Sequence, residues 1–146
     1  MNPGNMRTIR MILSAVLLLS AAVGAYILAT DSYLKSTAPT HAAGLAAFTV
    51  VDLALMVGLY WKPRIAIILS VLLGLVQAGA MAGDVFFGTL TFSSNVTTAA
   101  AFSKYLLGDS AFVTLLAIQV VLIVTGLAAF MMQRRTPAAM KQAEAP

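Results

Sequence analysis

Cysteine is absent from this sequence, and charged side chains are scarce. Without cysteine the chain forms no disulfide, holds no thiolate-bound metal or iron–sulfur cluster, and has no thiol nucleophile. With a single histidine, His41, it lacks the two axial ligands of a bis-histidine haem. The HExxH and GxSxG motifs and the phosphate-binding glycine loop are also missing. We therefore expect this chain to bind no metal or cofactor and to catalyse no reaction by itself.

Apolar side chains dominate what is present. Hydrophobic residues make up 60% of the chain, charged residues 10%, and the mean hydropathy is +0.92. This composition is typical of an integral membrane protein. The net charge of +4 comes from nine Lys and Arg residues, which flank apolar stretches instead of forming a basic stripe with aromatic residues. The positions of these basic residues indicate how the protein is oriented in the membrane. We expect the protein to contact the lipid bilayer and not to bind nucleic acid.

Four apolar stretches are each long enough to cross a bilayer. The hydrocarbon core is about 30 Å thick, and a helix needs about 20 apolar residues to cross it. Stretches that meet this length are 10–30, 41–61, 65–87 and 111–132. The predicted fold is therefore all-α, an integral membrane four-helix bundle formed as one domain by residues 10–132. Residues 1–9 precede it, and the polar tail 133–146 has no apolar periodicity and is predicted to be disordered.

The distribution of basic residues predicts how these helices are oriented. Lysine and arginine are enriched in the cytoplasmic segments of membrane proteins. Two basic residues flank one side of the predicted bundle, Lys35 and Lys104, and seven flank the other, namely Arg7, Arg10, Lys62, Arg64, Arg134, Arg135 and Lys141. We therefore expect a multi-pass protein of the cell membrane with both termini in the cytoplasm. The alternative is a cleaved signal peptide over the first stretch, which would leave three helices and an external amino terminus.

Two of the connections contain a proline whose position indicates where the next helix begins. Pro63, in the short turn WKPR, suits the first turn of a helix. The second and third helices must therefore be antiparallel neighbours. In the first outer loop, Thr40 is placed to cap the second helix after Pro39.

The second outer loop, between the third and fourth stretches, is predicted to contain a short helix. Phe102, Tyr105 and Leu106 share one face of it, and Thr97 or Thr98 is placed to cap its start. We expect this helix to be interfacial, lying on the outer membrane surface. An irregular loop packed over the bundle is the alternative.

Four hydrogen-bonding side chains lie at similar depths in the four stretches. Counted from the outer end of each helix, they are about eight to ten residues deep, or roughly 12 to 15 Å at 1.5 Å per residue. They are Ser20, Asp52, Gln77 and Gln119. An aspartate at the bilayer centre costs about 2.5 to 3.5 kcal/mol on insertion scales, so it must face protein or water. The sequence therefore predicts an intramembrane polar layer with one side chain from each helix.

Helical periodicity predicts a second polar pair near the outer surface. His41 and Asp52 are eleven residues apart, and Gln77 and Asp84 are seven apart, so each pair shares a helix face. Since the second and third helices are neighbours, we expect Asp52 to meet Gln77 at mid-depth and His41 to meet Asp84 at the outer surface. An ion pair or interfacial hydrogen bond is the favoured role for His41 and Asp84, because an isolated metal site there would lack ligands.

Three interpretations of the polar layer remain open. Polar groups buried between membrane helices stabilise their association by about 0.6 kcal/mol on average, and this assembly role is favoured. An intramembrane carboxylate is also a functional-site candidate, and Asp52 would then exchange protons or bind a cation. In the third interpretation another subunit completes a site, such as a quinone pocket or the edge of a cofactor.

Gly79 and Gly83, in GAMAG, have the small-xxx-small spacing that lets helix backbones approach closely. They predict a packing edge, either within the bundle or against another chain.

Two hypotheses about function follow. The leading one is a non-catalytic accessory or assembly subunit of a larger respiratory, oxygenase or transport complex in the membrane. The alternative is a small proton- or cation-coupled transporter that works as a homo-oligomer through Asp52.

Overall fold

The computed structural model describes the backbone of residues 3–87 and 99–143, and the side-chain surroundings of residues 7–86 and 101–133. The helices in these ranges are α1 Pro3–Thr30, α2 Ser32–Thr37, α3 Pro39–Trp61, α4 Pro63–Phe87, α5 Ala99–Gly108 and α6 Ser110–Ala143. Four helices are long and apolar enough to cross a membrane, over Arg7–Thr30, Pro39–Trp61, Pro63–Phe86 and Ser110–Gln133. The described residues are therefore helical as predicted, and the prediction of four helices long and apolar enough to span a membrane is confirmed.

The four long helices form a ring. Helix α1 contacts α3 and α6, and α4 contacts the same two helices. Lys62 alone separates α3 from α4, and its backbone N–H donates to the Gly58 carbonyl at 2.8 Å. Successive long helices are antiparallel, as shown by the contacts of Gly24 with Thr49, of His41 with Asp84 and of Gly126 with Val71, together with those of Gly58 with Ala66 and of Gly74 with Ile123. The end that carries this turn is called the turn end below, and the opposite end, where α2 and α5 lie, is called the α5 end.

Two apolar clusters fill the bundle, one toward each end. The turn-end cluster contains fully buried residues of all four long helices, including Leu13, Leu17, Leu59, Ile67 and Leu122. The α5-end cluster joins residues of the long helices to residues of α2 and α5, including Ile27, Leu34, Ala42, Phe102 and Phe112. Because lipid tails are as apolar as leucine, these clusters stabilise the bundle in a membrane through close packing.

Glycine residues permit the closest contacts between helices. A Cβ added at Gly24 of α1 would lie 2.6 Å from Thr49 Oγ1 of α3. A Cβ at Gly126 of α6 would lie 2.5 Å from Val71 Cγ2 of α4, and one at Gly74 of α4 would lie 3.0 Å from a side chain of α6. Larger residues would therefore push α1 from α3 and α4 from α6.

The first connection differs from the prediction, which was a loop followed by a helix with Thr40 at its cap. It contains α2, because Asp31 accepts a hydrogen bond from the backbone N–H of Leu34 at 2.7 Å and so caps a short helix. Helix α3 begins at Pro39, with Ala38 at its N-cap and no hydrogen bond from a capping side chain. Proline suits this position because it has no N–H and a fixed φ. Thr40 lies inside the first turn of α3.

Differences also occur beyond the third span. The backbone of α6 continues past residue 132 to Ala143, where the sequence predicted a disordered tail over 133–146. Alanine, glutamine, methionine and lysine in this segment all favour a helix. A helix does form between the third and fourth spans, as α5. The predicted capping residues Thr97 and Thr98 lie outside the described residues.

Candidate functional site

A chain of hydrogen bonds crosses the bundle between its two apolar clusters. Ser20 of α1 donates through Oγ to Asp52 Oδ2 of α3 at 2.6 Å. Gln119 of α6 donates through Nε2 to Ser20 Oγ at 2.8 Å. Ser20 and Asp52 are 1% exposed, and Gln119 is fully buried. Side chains from three of the four spanning helices are thus held together inside the bundle.

Gln77 of α4 lies in the same layer but outside this chain. Its side chain is buried, and its amide faces the Asp52 carboxylate without forming a hydrogen bond of normal geometry. Three acceptor atoms of the layer have no hydrogen-bond partner within the described part of the protein: Asp52 Oδ1, Gln77 Oε1 and Gln119 Oε1. The four residues lie in one layer, in which Asp52 is bonded to Ser20 at 2.6 Å and also interacts with the expected Gln77. In the ring, α3 lies between α1 and α4, and the Asp52 carboxylate bonds to the α1 side.

The second predicted pair lies at the α5 end. His41 Nε2 of α3 is 3.3 Å from Asp84 Oδ1 of α4. The His41 ring also contacts Phe102 of α5 edge to face, with 5.7 Å between ring centroids. No group of three His, Cys, Asp or Glu residues in the described ranges is arranged to hold a metal ion. This pair links α3 and α4 as an interhelical hydrogen bond, and becomes an ion pair when His41 is protonated.

Helix α5 packs onto this end of the bundle through the face formed by Phe102, Tyr105 and Leu106. Phe102 and Leu106 are buried. The Tyr105 hydroxyl donates to Asp31 Oδ2, and its ring lies beside that of Tyr33 with 4.7 Å between centroids. Burial and the hydrogen bond to the Asp31 carboxylate raise the pKa of Tyr105 above its usual value. Asp31 therefore ties α5 to the start of α2 while it caps α2.

A cavity of about 650 Å³ lies beneath α5. This volume is within the range of about 300 to 1,000 Å³ that is common for small-molecule sites. His41 and Asp84 line it toward the α5 end, and Gln77 lines it toward the polar layer. Gly44 of α3 and Gly83 of α4 also line it, and a Cβ at either glycine would meet no atom within 4 Å. The two helices therefore leave open space between their α5-end halves.

The predicted glycine edge of α4 makes no close helix contact within the described chain. A Cβ added at Gly79 or Gly83 would have no neighbour within 4 Å. Packing inside the bundle relies instead on Gly24, Gly74 and Gly126. The open space beside Gly83 belongs to the cavity beneath α5, whereas Gly79 is exposed and does not line that cavity.

Sequence reasoning overlooked the small residues that actually pack inside the bundle. Ser20 and Gly24 of α1 are four residues apart, and Ala66, Ser70 and Gly74 of α4 follow the same spacing. All five are buried. Small residues repeating every fourth position would have identified both faces. Asp31 was also overlooked, although aspartate is among the residues most common at helix N-caps.

Comparison with known proteins gives no relative: no protein-family model, curated protein or solved structure matches this chain. Its function is therefore inferred from the arrangement of its own residues.

Proposed function

We propose that this protein is a non-catalytic accessory or assembly subunit of a larger membrane complex. The observation that carries this proposal is a contrast between glycines. Gly24, Gly74 and Gly126 each lie tightly against a neighbouring helix, whereas an added Cβ at exposed Gly79 has no neighbour within 4 Å, and Gly83, which also has none, lies at the rim of the cavity beneath α5. The four-residue spacing of Gly79 and Gly83 is one that suits a close contact between membrane helices. A helix of another subunit would complete the packing along this edge.

In this proposal the turn end faces the cytoplasm and α5 lies at the outer membrane surface. Basic residues favour this orientation, since Arg10, Lys62 and Arg64 belong to the turn end. Trp61 at the same end is 83% exposed, as expected for an aromatic residue at a membrane interface. Helix α1 contributes Ser20 and several core residues to the bundle, which favours a retained first span over a cleaved signal peptide.

The polar layer supports a structural role for Asp52. Its Oδ2 accepts from Ser20, its side chain is almost fully buried, and it does not line the cavity. A hydrogen bond between membrane helices contributes about 0.6 kcal/mol on average, so the chain adds modestly to stability. Its larger effect is on specificity, because only one rotation of each helix brings Ser20, Asp52 and Gln119 together.

A small proton- or cation-coupled transporter working as a homo-oligomer is the second candidate. Gln77 favours it, because this residue faces the Asp52 carboxylate and also lines the cavity. One side chain thus separates an intramembrane carboxylate from a space large enough for a small molecule. Transport would require movement of Gln77 to connect the two.

The two candidates differ in what copurifies with the protein. The experiment is extraction of the tagged full chain in mild detergent from its native membrane, followed by mass spectrometry. Larger redox or transport subunits in a constant ratio are the result we expect. A complex containing only copies of this chain would contradict the subunit proposal and favour the transporter.

Adding bulk along the open glycine edge should separate assembly from folding. For Gly79→Leu with Gly83→Leu, we expect an unchanged Tm of the isolated protein, because an added Cβ at either position has no neighbour within 4 Å. Recovery of the complex should fall about tenfold or more, since overpacking a close contact costs about 1 to 3 kcal/mol. Quantitative mass spectrometry of the purified complex measures this loss.

The matched control places the same bulk elsewhere on the exposed surface. Ala22 of α1 and Ala117 of α6 are exposed and small. Ala22→Leu with Ala117→Leu should change neither the Tm nor the recovery of the complex. Full recovery with the glycine variant would mean that this edge faces lipid, and the proposal would lose its main support.

The orientation is tested by the accessibility of tags. Tags at residues 1 and 146 should report the cytoplasm, and a tag inserted between Ser93 and Thr98 should report the exterior, because seven basic residues flank one side and two the other. Protease protection in sealed vesicles measures each position. An external amino terminus would contradict the arrangement with four retained spans.

A further inference from the structure

The cavity beneath α5 has an acidic end. Asp31, Asp84 and Asp109 line it there, together with His41. No lysine or arginine is among the described residues that line the cavity. The remaining lining is mainly apolar and includes Phe48, Phe102 and Phe112. Carboxylates beside aromatic rings form a favourable environment for an organic cation, through charge attraction and cation–π contact.

Gln77 gives an independent indication of a ligand at the other end of the cavity. Its side chain is 4% exposed and lines the cavity, and its amide faces the carboxylate of Asp52. Because a carboxylate oxygen only accepts, Gln77 turns its NH₂ toward Asp52. Its Oε1 is buried and has no hydrogen-bond partner. This oxygen is not accessible from the cavity as the side chain stands, so a rotation of the Gln77 side chain would bring it to a donor group on a ligand, and the bond formed would add to affinity.

We propose that this cavity binds an amphiphilic organic cation with two polar ends. A protonated amine would lie beside the carboxylates of Asp84 and Asp109, and an apolar body would contact the phenylalanine rings. A hydroxyl or second N–H would donate to Gln77 Oε1. Gln77 and Asp84 are seven residues apart on one helix, which separates the two polar ends by about 10 Å. This site goes beyond the proposed subunit function and does not depend on it.

The test uses a set of matched probes and the full chain in phosphatidylcholine nanodiscs. The main probe is 8-amino-1-octanol, whose alkyl chain is of comparable length to the gap. Octylamine lacks the hydroxyl, 1,8-octanediol lacks the charge, and 8-hydroxyoctanoate has the opposite charge. Equilibrium dialysis against empty nanodiscs corrects for partition into lipid. We expect the amino alcohol to bind tightest, and the loss of either polar group to weaken binding about tenfold or more.

Two variants test which residues bind each polar end of the ligand. Asp84→Asn with Asp109→Asn removes charge while retaining the hydrogen bond to His41 and the cap of α6, where Asp109 accepts from Ala111 N at 2.8 Å. It should weaken both amines and leave 1,8-octanediol unaffected. Gln77→Met should remove the advantage of 8-amino-1-octanol over octylamine without changing octylamine binding. A purely structural role for Gln77 would not alter that ratio.

A steric variant tests whether the probes occupy this cavity. Gly44→Leu fills it, and its Cβ meets no atom within 4 Å, so the bundle should retain its Tm while binding falls about tenfold or more. Ala80→Leu fills the cavity from α4 and replaces Gly44→Leu in the test if that variant does not fold. Ala47→Leu, on an exposed position of α3 outside the cavity, is the control. Equal binding of 8-hydroxyoctanoate, or unchanged binding in both filled variants, would overturn the proposal.

Discussion

Asp52→Leu is expected to destabilise the bundle by about 2 to 4 kcal/mol, from an unsatisfied buried donor and the larger side chain. Ser20 loses the acceptor of its 2.6 Å hydrogen bond, while Gln119 still donates to its oxygen. The leucine must also fit a position that is 1% exposed, between tightly packed helices. Thermal unfolding of the purified protein in one fixed detergent measures the effect as a fall in Tm.

Two further variants separate the causes of this loss. Ala54→Leu adds bulk to an exposed position two residues along α3 and should leave the Tm unchanged. Ser20→Ala combined with Asp52→Leu removes both partners, so the two changes together should cost less than the sum of their separate effects. Wild-type stability for Asp52→Leu alone would mean that the hydrogen-bonded chain does not help to hold the bundle together.

Gly126→Leu is expected to prevent recovery of folded protein or to lower its stability by about 3 kcal/mol, the upper range for overpacking. The first side-chain carbon would lie 2.5 Å from Val71 Cγ2 and 3.9 Å from the Val71 Cα. Valine is stiff because it branches at Cβ, so the clash is relieved mainly by separation of α4 from α6. Glycine replacement improves helix propensity by only about 1 kcal/mol, which does not offset the clash.

Compensation at Val71 tests this explanation. Gly126→Ala should destabilise the protein, and adding Val71→Ala should restore most of the loss because it removes the clashing methyl groups. Gly79→Ala is the control, since its Cβ meets no neighbour and the helix propensity gain should appear alone. If Gly126→Ala has the same Tm as Gly79→Ala, the close approach of α4 and α6 is not a determinant of stability.

The layer that contains Asp52 could be anticipated because depth follows from helix length. A span begins and ends near fixed points of a bilayer, so counting residues places Ser20, Asp52 and Gln119 at one level. Their pairing could not be anticipated in the same way. The short turn between α3 and α4 showed that these two helices are neighbours. The contact of α1 with α3 depends on the order of the helices in the ring, which the sequence does not specify. The prediction therefore favoured Gln77 over Ser20.

The cavity could not be anticipated from the sequence. It exists because α3 and α4 leave space near Gly44 and Gly83 while α5 covers their ends. Separation of this kind depends on crossing angles, which arise from packing along the whole helix. The sequence did place His41 and Asp84 on facing helices, because both lie at equivalent depths from the same end.

The most direct test of the central claim, that this protein is an assembly subunit in which Asp52 has a structural and not a transport role, is a paired measurement on Asp52→Asn. Asparagine retains an acceptor for Ser20 and replaces the unpaired Oδ1 with a donor in a layer where Gln77 Oε1 and Gln119 Oε1 are unpaired, but it cannot carry a charge or exchange a proton in the working range. Recovery of the native complex and flux across a proton gradient are measured on the same preparation. We expect both to equal those of the wild type. Normal assembly with loss of a proton-driven flux would contradict this account and assign Asp52 to transport.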